Sequence, residues 1–182
     1  MKRGTNNQHK IKPSSSIKPS AAKSKDRKFW LMKTEPDVFS IDDLRNAPNQ
    51  TTCWDGVRNY QARNFMRDQM KLGDGVLVYH SNANPSCIVG TATIVRTSYP
   101  DHTAWDKYDP HHDPKCDPAN PRWFMVDIQY ESTLPQPLSL EMLRQIPSLA
   151  SMELLRKGSR LSVQPVTKQQ FDTIIRFALP NT

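Results

Sequence analysis

Within the run Cys53-Trp54-Asp55-Gly56-Val57-Arg58-Asn59-Tyr60-Gln61-Ala62-Arg63-Asn64 lie an aromatic plane, a glycine and a cluster of amide and guanidinium donors. Trp54, Asp55 and Gly56 read as a tight turn, because glycine accepts the positive φ such a turn often needs. A helix is expected next, since Ala62, Phe65, Met66 and Gln69/Met70 recur at helical spacing. Backbone N–H groups at a helix start favour anions, and arginine adds five fixed donors. Together these groups could hold a planar heterocycle beside a phosphate. The plainer alternative is a tryptophan packed in the core and an asparagine that only caps the helix. Residue types alone leave both open.

Other chemistries find less support. The loop Asp109-Pro110-His111-His112-Asp113-Pro114-Lys115-Cys116-Asp117 holds metal-ligand types, yet it is stiffened by prolines and has no i, i+4 ligand pair such as HExxH, so no metal is expected. Cys53 and His80 could pair as nucleophile and base, but no third group is placed to orient the histidine. Glu35 with His80 is a further possible acid/base pair. Cys53, Cys87 and Cys116 are odd in number and form no CxxC, which fits a reducing compartment rather than a disulfide framework. No motif calls for a cofactor.

The 182 residues suggest one domain with a real core. Charge is unevenly placed. Residues 1–28 hold nine Lys/Arg against one acid, a net +8, while the remainder holds 16 bases and 17 acids, a net −1. A nearly neutral domain does not coat a duplex by charge, so nucleic-acid binding would have to rest on a specific pocket. Residues 1–27, rich in Lys, Ser and Pro, read as a disordered basic tail, and 28–179 as the folded domain. No apolar run is long enough to span a membrane, and the N-terminus lacks the apolar block of a secretory signal.

The elements that must position the donors alternate strands with short helices. Strands are expected at 28–33, 51–54, 76–81, 87–95, 123–130 and 160–166. Ser40 should cap a short helix over 41–45, and Thr167 with Gln170 a capping box for a last helix buried through Phe171, Ile174, Ile175 and Phe177. Residues 98–122 read as one long loop. Pro135 and Pro137 separate the fifth strand from a Ser139-capped helix, and another short helix is expected around 149–155. With no βαβ regularity, the class is α+β around a small barrel.

Four separated stretches, Trp30-Leu31-Met32-Lys33-Thr34-Glu35-Pro36, Trp54–Asn64, Tyr79-His80-Ser81 and Arg160-Leu161-Ser162-Val163-Gln164-Pro165, together resemble the EVE domain family. The resemblance covers about residues 29–178. It implies a PUA-like twisted β pseudo-barrel of five to six strands flanked by short helices. It also implies a binding module that reads a modified base, methylated or hydroxymethylated cytosine or methyladenine, in nucleic acid, DNA before RNA. Trp30 and Trp54 would then stack on a flipped-out base, and Lys33, Glu35, Arg58 and Asn59 would supply polar contacts. Tyr79, His80 and Ser81 would close a wall, with Arg160 and Ser162 facing the same mouth. Arg63 and Arg67 would meet phosphates, and the Asp/Pro/His loop would frame the pocket as a lid. The rival is a nucleoside-processing enzyme, or a small-molecule nucleotide module, using the same pocket. The expected compartment is the nucleus in a eukaryote or the cytoplasm in a bacterium, without secretion.

Overall fold

Strand β1 (Phe29–Thr34) is buried on both sides, as its nearly continuous apolar run requires. The computed structural model describes residues 26–180, so the basic tail up to residue 25 lies outside the described residues. β1 is followed by α1 (Ile41–Asn46), β2 (Thr51–Trp54), α2 (Tyr60–Asp68), β3 (Gly75–His80), β4 (Cys87–Pro100) and β5 (Phe124–Ser139). Then come α3 (Leu140–Arg144), β6 (Val163–Val166) and α4 (Lys168–Ala178). The strands form one mixed sheet in the order β2-β5-β4-β3-β1-β6. Only β1 and β3 run parallel; the other pairs are antiparallel. β2 and β6 do not pair, so the barrel is not closed.

Strand alternation feeds two cores. Trp30 and Met32 of β1 join Val76 and Val78 of β3, Ile94 of β4, Ile128 of β5 and Val163 of β6 in the first, which α1 and α2 cover with Leu44 and Met66. Phe29 and Leu31 join Leu77 and Ile88 in the second, which α3 and α4 cover with Leu143, Phe171 and Ile174. All six strands, including β2 through Trp54, supply the first core, and that is the sense in which the open sheet is a pseudo-barrel.

The helix caps stand where the sequence puts them. Ser40 with Asp43 and Thr167 with Gln170 both form reciprocal capping boxes. Four expectations need correction. β4 runs to Pro100 and β5 starts at Phe124, paired with it, so the expected 98–122 loop starts three residues later, at 101, and ends one later, at 123. β5 also passes through Pro135 and Pro137 instead of ending before them. Between the Gly90–Thr133 and Ile88–Leu138 pairs, Leu134–Pro137 oppose Val89 alone, and in that bulge a missing N–H costs no ladder bond. The 149–155 segment is two 3-10 turns, Pro147–Leu149 and Glu153–Leu155, not a helix. Phe177 is 47% exposed; the packed face of α4 runs through Phe171, Ile174 and Ala178.

Candidate functional site

One cavity of about 600 Å³ opens between the ends of the sheet. One wall comes from β2 and the turn after it: Thr52, Cys53, Trp54, Asp55, Gly56 and Val57. The other comes from the end of β1 and the loop beyond: Lys33, Thr34, Glu35, Val38 and Phe39. Ser81, Ser162 and His111 complete it. β2 and β1 stand four strand spacings apart in the sheet, which laid flat would separate them by roughly 19 Å. Residues of both nevertheless line one space, so the sheet curls, and the cavity is the seam it leaves open.

The turn that presents Trp54 is held by a carboxylate from far along the chain. Asp101 is fully buried; its Oδ2 accepts from the Gly56 N–H at 3.0 Å and from Arg58 Nη1 at 2.7 Å. Its Oδ1 accepts from the Thr103 N–H and hydroxyl. Burial alone would raise its pKa, but the hydrogen bonds from Thr103 and Arg58, with the arginine's charge, outweigh burial and hold it below the ordinary value. Gly56 has φ +69°, and a Cβ there would stand 2.8 Å from the His111 imidazole. Only glycine serves at this point of contact between turn and loop. His111, in turn, has Asp109 Oδ1 3.2 Å from Nδ1.

Of the residues expected at the site, Lys33, Glu35, Trp54, Ser81 and Ser162 line the cavity. Lys33 is partly desolvated, and burial lowers its pKa while the Glu153 charge pulls the other way. Glu35 is exposed and accepts from Asn82 Nδ2 at 3.2 Å. The Ser81 hydroxyl donates to the Thr34 carbonyl at 3.1 Å.

The remaining expected residues are not on the lining. Trp30 is 2% exposed and its indole N–H donates to Asp74 Oδ2 at 2.9 Å, so it is a core residue and not a stacking surface. Arg58 spends its guanidinium on Asp101, Thr103 and the His111 carbonyl, bracing the turn instead of facing the space. Asn59 is the N-cap of α2, accepting from the Ala62 N–H at 3.0 Å. Tyr79 is buried in the second core. His80 Nε2 accepts from the Ile41 N–H at 3.1 Å and so anchors α1; burial lowers its pKa against the opposing charges of Asp42 and Asp43. Arg160 is exposed beside β6. On α2, Arg67 is paired with Asp68, while Arg63 donates to the Asn64 side chain and the Arg122 carbonyl.

Sequence reading missed Val38 and Phe39, although an apolar pair between Pro36 and a capping serine is a signal for an exposed lining. It also missed Asp101, whose only local signal is the Asp-x-Thr pattern that caps the short turn His102–Ala104. The ligand-type residues of the 109–117 loop are used structurally. Asp113 accepts from the Trp123 indole at 2.7 Å, Cys116 from the Trp105 indole at 3.1 Å, and His112 bonds the Ala104 carbonyl. Among the described residues no three His, Cys, Asp or Glu side chains converge as a metal site, and no helix is long and apolar enough to cross a membrane.

A family model for the EVE domain matches residues 28–177. The chain belongs to the EVE domain family. Rat thymocyte nuclear protein 1 is 46% identical over 164 residues, 81% of this chain and 72% of its own length. Among solved structures, a Pseudomonas syringae protein superposes with a TM-score of 0.79 at 44% identity, covering 83% of this chain and 99% of that one. Human THYN1, solved in complex with DNA containing 5-methylcytosine, superposes with a TM-score of 0.79 at 41% identity, covering 85% of this chain and 99% of that one. These matches place the seam and both of its walls within the fold of the EVE domain.

Proposed function

We propose that this chain binds DNA carrying a modified cytosine, 5-methylcytosine first, and holds that base in the seam cavity. The observation that carries the reading is the likeness to human THYN1 bound to 5-methylcytosine DNA, which extends over nearly the whole described domain. The cavity supports it. Its volume lies within the usual range for small-ligand sites. Trp54 and Phe39 offer π surface to a base that has left its stack, an exchange worth about 1–3 kcal/mol per base. The Glu35 carboxylate can accept from the exocyclic amine of cytosine, as can the Ser81 oxygen, whose proton goes to Thr34, and Lys33 and Ser162 can donate to the base's ring nitrogen and carbonyl. Val38 and Val57 are apolar company for a methyl group. Arg63 and Arg67 would meet the strand outside the mouth.

The reading is binding without turnover, and two features support that side. Burial, with Asp55 beside it, pushes the Cys53 thiol up to about 11, far from a reactive thiolate. His80, the base a hydrolase would need, is occupied as the anchor of α1.

Fluorescence titration of the full chain against matched duplexes bearing cytosine, 5-methylcytosine, 5-hydroxymethylcytosine or N6-methyladenine tests the reading. A modified-cytosine duplex should bind most tightly. Trp54→Ala should weaken that binding about 5- to 150-fold. Because Trp54 is packed in the core, Glu35→Ala, an exposed change, serves as the second variant and should reduce the preference with the fold intact. Equal binding of all four duplexes, or a preference that survives both changes, would overturn it.

A further inference from the structure

Outside the cavity, the start of α2 carries an aromatic and cationic ledge. Tyr60 is 54% exposed, and its ring stacks on Trp123 with centroids 5.0 Å apart and planes inclined by 30°. Trp123 is buried and fixed by its bond to Asp113. Arg63 lies over both rings, 5.1 Å from the centroid of Tyr60 and 5.9 Å from that of Trp123, and Arg58 flanks Trp123 at 5.6 Å. The charges of Arg58 and Arg67 are compensated by Asp101 and Asp68. Arg63 has only neutral partners, the Asn64 amide and the Arg122 carbonyl, and no ion pair among the described residues. An aromatic face half in water, on a rigid backing and beside an uncompensated cation, suits a planar π system that carries an anion. The ledge joins the cavity directly, because Arg58 Nε donates to the carbonyl of His111, a lining residue, and Tyr60 follows Gly56 and Val57 closely in the chain.

We propose that Tyr60, backed by Trp123 and flanked by Arg63, is a second nucleotide subsite. The base next to the one in the cavity stacks on Tyr60, and the phosphate between the two meets Arg63. This rests on the reading of the cavity as a base pocket. It follows from the same physics: a base that leaves the duplex strips its neighbour of a stacking partner, and an exposed aromatic ring replaces that partner without regard to sequence.

The test uses the full chain and two duplexes, one with 5-methylcytosine and one with cytosine at the same position. It reads two quantities: the absolute affinity and the ratio between the duplexes. Tyr60→Ala and Tyr60→Leu should weaken both duplexes alike by about 5- to 150-fold and leave the ratio unchanged. Tyr60→Phe should bind as the unaltered chain does. Leucine keeps Trp123 covered but offers no π-face, so its failure to bind separates stacking from support of the helix. Arg63→Gln should lower the salt slope of binding by about one phosphate contact. Normal binding by Tyr60→Leu, a change in the ratio alone, or equal losses in Tyr60→Phe and Tyr60→Ala would overturn the proposal. Failure of the cavity reading looks different, because the unaltered chain would then show a ratio of one whatever stands at position 60.

Discussion

The two walls of the cavity are built by opposite means. The wall that carries Trp54 is strand β2, paired with β5, and the turn that follows it hangs on a side chain: Asp101, 45 residues from Gly56, holds Gly56 and Arg58 from a fully buried position. The wall that carries Lys33 and Glu35 is held by backbone. Lys33 N–H donates to the Ser162 carbonyl and Ser81 N–H to the Thr34 carbonyl, each at 2.8 Å, and Phe39 N–H donates to the Glu35 carbonyl at 2.9 Å. One substitution can undo that turn, though not the pairing of β2 with β5. No substitution short of proline removes the second wall's backbone bonds, to which the Ser81 and Thr34 hydroxyls add one each, and at its rim Glu35 and Val38 are free to vary: Glu35 has one hydrogen bond, to Asn82, and Val38 is 77% exposed. The difference assigns the two walls different work, rigid placement of the stacking ring on one side and adjustable polar recognition on the other.

The largest expected effect breaks the turn of the first wall. Asp101→Ala strands the Arg58 cation and the Gly56 and Thr103 donors, a loss on the scale of a broken buried ion pair, about 3–5 kcal/mol. Urea denaturation measures it, and a loss below about 1 kcal/mol would mean the turn is held by something else. Gly56→Ala comes next. Alanine at φ +69° costs about 1–2 kcal/mol, and its methyl would displace His111 from the cavity. Because both residues serve one contact, the double substitution should cost less than the two separate losses added together. Full additivity would show that turn and loop are held independently.

Much of this architecture is legible along the chain, but only where its cause is local. The glycine turn, the Ser40 cap and the Thr167–Gln170 capping box depend on residues a few positions apart, and sequence locates them, whereas it leaves Asn59 open between a base contact and the helix cap that it is. Trp30 and Arg58 were misplaced for the opposite reason. Trp30 alternates with Leu31 and shares the core face of Met32, and the carboxylate that satisfies its indole, Asp74, lies 44 residues downstream. Arg58 reads as a free ligand-binding group until its partners, 43 to 53 residues away, are known. The run of β5 through two prolines is equally invisible, because only the register against β4 shows that the bulge excuses them. Of the cavity itself, sequence indicated five lining residues from separated stretches, and only the curl of the sheet brings them together.

The smallest expected effect sharpens the comparison by pH. Asp101 titrates below its ordinary value of 3.8 in the folded state. Its contribution is therefore complete above that value and is lost only as pH falls through the depressed one. His80, beneath the second wall, is also depressed, from an ordinary 6.5, because burial penalises its charged form. The unfolded chain takes up that proton first, so stability falls as pH drops from about 6.5 toward the folded value. Protonation also removes the lone pair that accepts the Ile41 N–H, and with it the anchor of α1. Mild acid should thus loosen α1, which follows the second wall, while the turn of the first stays intact. Thermal melting at neutral pH and at pH values between the two titrations should show a drop that His80→Gln, which keeps an acceptor but cannot titrate, largely abolishes. Protection against amide exchange, taken relative to the intrinsic rate at each pH, should fall at Ile41 before Gly56. Equal drops in the two proteins, or Gly56 exchanging first, would reverse the assignment of the two walls.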